Sequence, residues 1–299
     1  MRKFSLLLFL LVVVYGASAQ QLHFMSQYLE HNSQLNPGAA GIANKDMVGV
    51  AYRSQWSSFP GSPKTYMVYG DLNLPKLKAG IGGYVYRDET GPTSRTGIQL
   101  AYSKHIISRD EKHKVGLGIE IRGLQYAIDK LKIVNALGND PALGGASSKF
   151  GFDAGAGVYY SNDKLSLGAA VSQIIQSKLQ LADVPNAKIS GRLYRHYNFL
   201  ANYRIQTGDD IFLVPNMLAR VIEHSPTEFE AGIKLDYQEK IWFNFIYKVR
   251  QLYSLQAGFK IADKINITYS YDAYKTPISS FDGGSAAHEI GLRFDFGNY

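Results

Sequence analysis

The chain has 299 residues, 45% hydrophobic and 13% aromatic side chains, 19% charged ones, 29 glycines and no cysteine. The missing cysteine excludes a disulfide framework, Cys-ligated zinc or iron–sulfur, and a lipid-modified N-terminal Cys. Its formal charge of +7, from 32 basic and 25 acidic residues, is scattered in ones and twos, so no nucleic-acid partner is expected.

Met1 to Ala19 reads as a cleaved signal peptide. Arg2 and Lys3 form a positive start, Phe4 to Tyr15 an apolar run, and Ala17-Ser18-Ala19 a small-residue cleavage site. The apolar run stops at Gly16, well short of the roughly 20 residues a spanning helix needs. The mature chain is expected to begin at Gln20, and losing Arg2 and Lys3 lowers its formal charge by two. No later segment approaches 18 consecutive apolar residues, which leaves an exported soluble protein or a β-barrel.

Residues 20–45 are expected to form a periplasmic or lumenal strap. Its Asn36-Pro37-Gly38 turn breaks any helix there. From residue 46 onward, segments of about ten residues carry apolar or aromatic side chains at every second position. The pattern predicts fourteen strands: 46–53, 64–72, 77–87, 94–104, 113–122, 150–160, 163–172, 192–206, 211–222, 226–236, 239–248, 250–261, 263–272 and 286–296. In the fifth, Val115, Leu117, Ile119 and Ile121 share one face, and Gly116, Gly118, Glu120 and Arg122 the other.

Alternation alone does not say which face points inward. Strands near 9–11 residues, the length of a tilted spanning strand, favour apolar side chains facing lipid. Tyrosines near strand ends (Tyr102, Tyr159-Tyr160, Tyr247, Tyr253, Tyr271) suit the headgroup level. The longest connections, 55–63, 123–149, 173–191 and 273–285, fall at odd-numbered positions, and an even strand count puts both termini on the periplasmic side. The expected fold is all-β: a single antiparallel transmembrane barrel of about 14 strands spanning 46–299, in the outer membrane of a Gram-negative cell.

Three stretches carry a family resemblance. They are Ser26-Gln27-Tyr28 with Asn36-Pro37-Gly38-Ala39-Ala40-Gly41, Tyr52-Arg53-Ser54-Gln55-Trp56 with Gly61 to Tyr66, and Tyr269-Ser270-Tyr271-Asp272 with Gly283-Gly284-Ser285 and His288-Glu289-Ile290. The chain resembles the PorP/SprF family of type IX secretion system membrane proteins from Bacteroidetes. That resemblance implies a fatty-acid-porin-like barrel that supports secretion or surface anchoring of large adhesin-type cargo, including gliding adhesins. The implied partners are a cargo protein with a type IX C-terminal domain, other secretion-system subunits and outer-membrane lipid.

Candidate partner-binding residues are Arg53, Trp56, Pro63 and Lys64 around the first outer loop, with Tyr28 and Asn36 of the strap. Trp and Arg dominate interface hot spots, although Pro60-Gly61-Ser62-Pro63 also reads simply as hairpin chemistry. Glu120, Arg122, Glu230, Lys234, Asp236, Lys260, Arg293 and Asp295 share lumen parity, and mutual pairing is expected over a pore-lining role. The seven histidines form no metal motif, and Gly80-Ile81-Gly82-Gly83 lacks the helix a dinucleotide loop requires. No cofactor and no enzymatic activity are expected. The alternative function is a passive outer-membrane channel for small solutes.

Overall fold

The computed structural model describes residues 25–43, 46–130, 132–133, 148–179, 191–275, 279, 283 and 286–296. The expected signal peptide, Met1 to Ala19, lies outside them. The strands are β1 (Met47–Gln55), β2 (Lys64–Leu74), β3 (Ala79–Thr90), β4 (Thr93–Ile107), β5 (Lys114–Ile128), β6 (Ser148–Ser161) and β7 (Leu165–Ser172). They continue with β8 (Lys178–Leu179), β9 (Gly191–Arg192), β10 (His196–Tyr203), β11 (Ile205–Gly208), β12 (Ile211–Ile222), β13 (Glu228–Tyr237), β14 (Ile241–Lys248), β15 (Leu252–Ile261), β16 (Ile265–Tyr274) and β17 (Ala287–Asp295).

Each barrel strand pairs antiparallel with its neighbours, and β1 pairs with β17 from Met47↔Asp295 to Gln55↔Ala287. The ring is therefore closed and has no free edge. β11 continues β10 beyond Arg204, so the two count as one stave and the barrel has fourteen. The short β8–β9 pair stands apart from the ring.

The alternation resolves with the apolar side outward. Ile119 and Ile121 are 65% and 63% exposed, while Glu120 between them is 2% exposed. Outward rows of Val, Leu, Ile and Phe surround a lumen of buried Gln, Asn, Ser, Asp, Glu and Arg, the distribution lipid imposes on a barrel wall. Among the described residues, no helix is long and apolar enough to cross a membrane.

Several boundaries differ from the sequence pattern. Gly123 interrupts the periodicity of β5, yet the strand runs on to Ile128, because the long partner β4 keeps pairing with it as far as Thr93↔Ile128. The predicted strand 192–206 begins only at His196, since Leu193 turns into the lumen. Tyr159 is no interfacial aromatic: it points inward and is buried against the N-terminal segment.

Short connections (75–78, 108–113, 162–164, 209–210, 238–240, 262–264) gather at one end, together with the start of β1 and the end of β17. The strand ends that flank the four longest, 56–63, 129–147, 173–195 and 275–286, lie at the other, together with the shorter 91–92, 223–227 and 249–251. Outer-membrane barrels carry short turns on the periplasmic side and longer loops outside, which orients this one.

Candidate functional site

Residues 25–43 run through the inside of the barrel. Three 3-10 turns, Tyr28–Glu30, Asn32–Gln34 and Pro37–Ala39, compact this strap. Asn36 caps the last turn by accepting from the Gly38 N–H at 2.9 Å, and Pro37 occupies its first position. Leu35, Asn36 and Ala40 are fully buried. The strap fits because the wall is thinned beneath it: a Cβ on Gly80, Gly116 or Gly118 would overlap the backbone of Ala40, Gly38 or Pro37. Ser103 Oγ donates to Gly38 O at 2.9 Å, and Asn198 Nδ2 to Leu35 O at 3.2 Å.

Two charge clusters hold the strap. Toward the loop end, Arg53 donates to Asp272 Oδ2 at 2.6 Å, to Glu289 Oε2 at 3.1 Å and to Ser26 Oγ at 2.7 Å. The Ser26 and Gln27 backbone N–H groups donate to Glu289 at 2.8 and 3.1 Å, and Ser26 Oγ to Asp272 at 2.6 Å. Toward the turn end, Glu30 takes Arg293 at 2.8 Å and Lys234 at 3.3 Å, while Asp295 takes Arg293 at 2.8 Å and Lys260 at 3.5 Å. Between them, Arg122 pairs with Glu120 at 2.6 Å and donates to Tyr84 OH and Gln34 O. Glu230 pairs with Lys248 at 3.3 Å and Asp236 with Lys234 at 3.8 Å. All eight lumen charges singled out in the sequence thus have opposite-charge partners.

The loop end is closed from above. Asp153 accepts from the N–H groups of Ile175 at 2.9 Å and Ser177 at 3.3 Å, which pins 174–177 to β6. Leu179 and Leu193 drop into the lumen against Met25, Met67, Tyr69, Tyr84, Tyr86 and Leu124. At the turn end, by contrast, a cavity of about 410 Å³ stands between the strap (Leu29, Asn32, Ile42) and the charged wall (Lys234, Asp236, Arg293). The lumen is plugged in the middle, capped at one end and hollow at the other.

The six predicted partner-binding residues do not form one patch. Tyr28 and Asn36 sit deep in the lumen, and Arg53 is buried and neutralised by two carboxylates. These three serve contacts within the chain, which leaves them no surface for an outside partner. Trp56 is half-buried: its backbone N–H donates to Ala286 O at 2.8 Å, and its ring lies 5.5 Å from that of Tyr274. Pro63 accepts from Gln55 N at 3.0 Å, closing the hairpin, and Lys64 is exposed on the outer wall.

Sequence reading missed that its three family stretches meet. Ser26, Arg53, Asp272 and Glu289, drawn from all three, form the loop-end cluster. The only signal was the inward parity of Arg53, Asp272 and Glu289 on their strands. His31, Ser33 and Asp71 also gather: Ser33 Oγ lies 2.8 Å from His31 Nε2 and 2.9 Å from Asp71 Oδ2, and His31 Nε2 lies 3.1 Å from that same oxygen. Serine and carboxylate share one ring nitrogen, so no relay across the imidazole results. Among the described residues, no group of His, Asp or Glu is arranged to hold a metal ion.

A closed fourteen-stave barrel with lipid-compatible walls and a filled lumen defines an outer-membrane protein. Its fold is shared with the Ralstonia pickettii toluene transporter TbuX, with a TM-score of 0.50 at 11% identity over 88% of this chain and 93% of that one. The Acinetobacter baumannii outer membrane protein Omp33 aligns at 6% identity over 84% and 98% of the two chains, with a TM-score of 0.47. The KdgM porin aligns at 7% over 84% and 99%, with a TM-score of 0.40. The sequence profile of the type IX secretion system membrane protein PorP/SprF matches residues 17–294, and the chain belongs to that family. Comparison with curated protein sequences finds no match.

Proposed function

We propose that this membrane component of type IX secretion is a plugged barrel that supports secretion or surface anchoring of adhesin-type cargo at its loop-end rim. It is not a conduit. The observation that carries this reading is the filled lumen: the strap, clamped at Arg53 and at Glu30, occupies the bore, and Leu179 and Leu193 close it from above. Buried charge clusters of this kind resist opening, because removing one partner strands the others without water. A partner of the size of an adhesin therefore engages the rim, where Trp56 and Lys64 stand.

Pull-down of the full chain from outer membranes in mild detergent tests the reading. Co-recovery of a large secreted protein bearing a type IX C-terminal domain, or of secretion-system subunits, is the expected result. Recovery of the barrel alone from actively secreting cells overturns it. The passive-channel alternative requires a continuous bore, and the plug stands against that.

A further inference from the structure

The outer wall is uneven. Over β10, β13, β14 and β15 it carries bulky rings such as Phe199, Phe229, Phe243, Phe245 and Phe259. Midway along β1 to β3 the outward positions are short: Val50, Val68 and Val85 are 48%, 54% and 48% exposed. With Ile267, Ile290 and Leu292 alongside, they floor an apolar groove of about 690 Å³ on the barrel's exterior.

Above this groove, on the loop-end side, polar groups face outward. Tyr52 and Tyr66 stand ring to ring at 5.1 Å. Arg87 lies opposite Tyr66 in the β2–β3 register, and exposed Lys64 ends the same face. Arg87 Nε donates to Glu89 at 2.7 Å. Both side chains of that pair are about half exposed, and such surface pairs hold weakly, at about 0–1 kcal/mol. Two permanent cations thus face one carboxylate, and a guanidinium keeps further N–H donors for a second anion.

We propose that this groove is a lipid-binding site for a phosphate-bearing glycolipid of the outer leaflet, of the lipid A type. One acyl chain lies along the valines, and the headgroup phosphate sits between Arg87 and Lys64 beside the Tyr52 and Tyr66 hydroxyls. Three arguments select this occupant. The wall here is bathed in lipid, the cationic rim lies at the loop end where the outer leaflet's headgroups are, and its charge is complementary to phosphate. An ordinary neutral lipid would fill the groove but leave the rim cations unused.

The test uses the full chain in phosphatidylcholine nanodiscs doped with lipid A or with phosphatidylglycerol. Lipid retained after detergent extraction is counted by native mass spectrometry. The expected result is one lipid A per barrel, held about tenfold better than either phospholipid. The doubly substituted Lys64→Gln/Arg87→Gln protein loses that preference, and Val68→Phe, which fills the groove, loses the bound lipid altogether. Both substitutions lie on the outer face, and the heat-dependent gel shift of a folded barrel checks that each variant is closed. Equal retention of phosphatidylcholine or phosphatidylglycerol overturns the proposal. So does undiminished lipid A retention by the folded double variant.

Discussion

Arg53 shows how one side chain can belong to the wall and to the plug at once. Its guanidinium holds Asp272 and Glu289 of the wall and Ser26 of the strap. Replacement by Gln leaves two buried carboxylates without a cation, so Arg53→Gln should cost about 3–5 kcal/mol. Urea unfolding followed by tryptophan fluorescence would register that as an earlier midpoint. Gly118 tests the opposite kind of change. Ala in place of Gly normally tightens a strand, but a Cβ at Gly118 meets the backbone of Pro37 and Gly38. Gly118→Ala should therefore destabilise by roughly 1–3 kcal/mol through overpacking, whereas Gly208→Ala, whose Cβ would meet nothing nearer than 3.6 Å, should not show this clash. At this scale the sequence was only partly legible. Parity placed Glu120, Arg122, Lys234 and Arg293 inside, because period-2 alternation survives any tertiary arrangement. It could not show that Arg53 grips the strap, since that contact joins residues far apart in the chain.

The strap is the element on which the functional reading turns. If residues 25–43 seal the bore, deleting them, which also removes the Met25 that Leu179 and Leu193 pack with, should convert a silent protein into one that passes current across a planar bilayer. An intact barrel that already conducts would contradict this. The loop-end cap offers a second, independent control. A Cβ placed on Gly151 would stand 3.3 Å from that of Ser177, near the separation a disulfide spans, roughly 3.5–4.5 Å. Because the chain has no cysteine of its own, a Gly151→Cys/Ser177→Cys bridge would be unique. Introduced into the strap-deleted protein, it should reduce current when oxidised and restore it on reduction. Element boundaries were read well where alternation was unbroken, as in β13 and β16. They failed at Gly123, where a glycine interrupts the pattern without interrupting the pairing, and at Leu193, which leaves the ring to fill the lumen.

For the whole molecule, the inside-out arrangement is the most exposed claim and the easiest to check. Single cysteines at Ile119 and Ile233, both more than half exposed on the outer wall, should react with a thiol reagent confined to the bilayer. Cysteines at Glu120 and Lys234 should not. The number of staves was visible in advance because each carries its own periodicity. A periplasmic or lumenal strap over 20–45 was expected too, but not its contacts with the wall, because an irregular run of 3-10 turns leaves no period to read.

The first and last strands meet along a seam, Met47 to Gln55 against Ala287 to Asp295. Through the bore behind that seam passes a thread tied to the first strand's own beginning. The ring cannot be completed until the C-terminal strand has arrived, and a thread already lying inside would be enclosed at that moment, as a ship's rigging is laid before the bottle is sealed. The chain's own order of appearance, thread first and clasp last, suits that sequence of events.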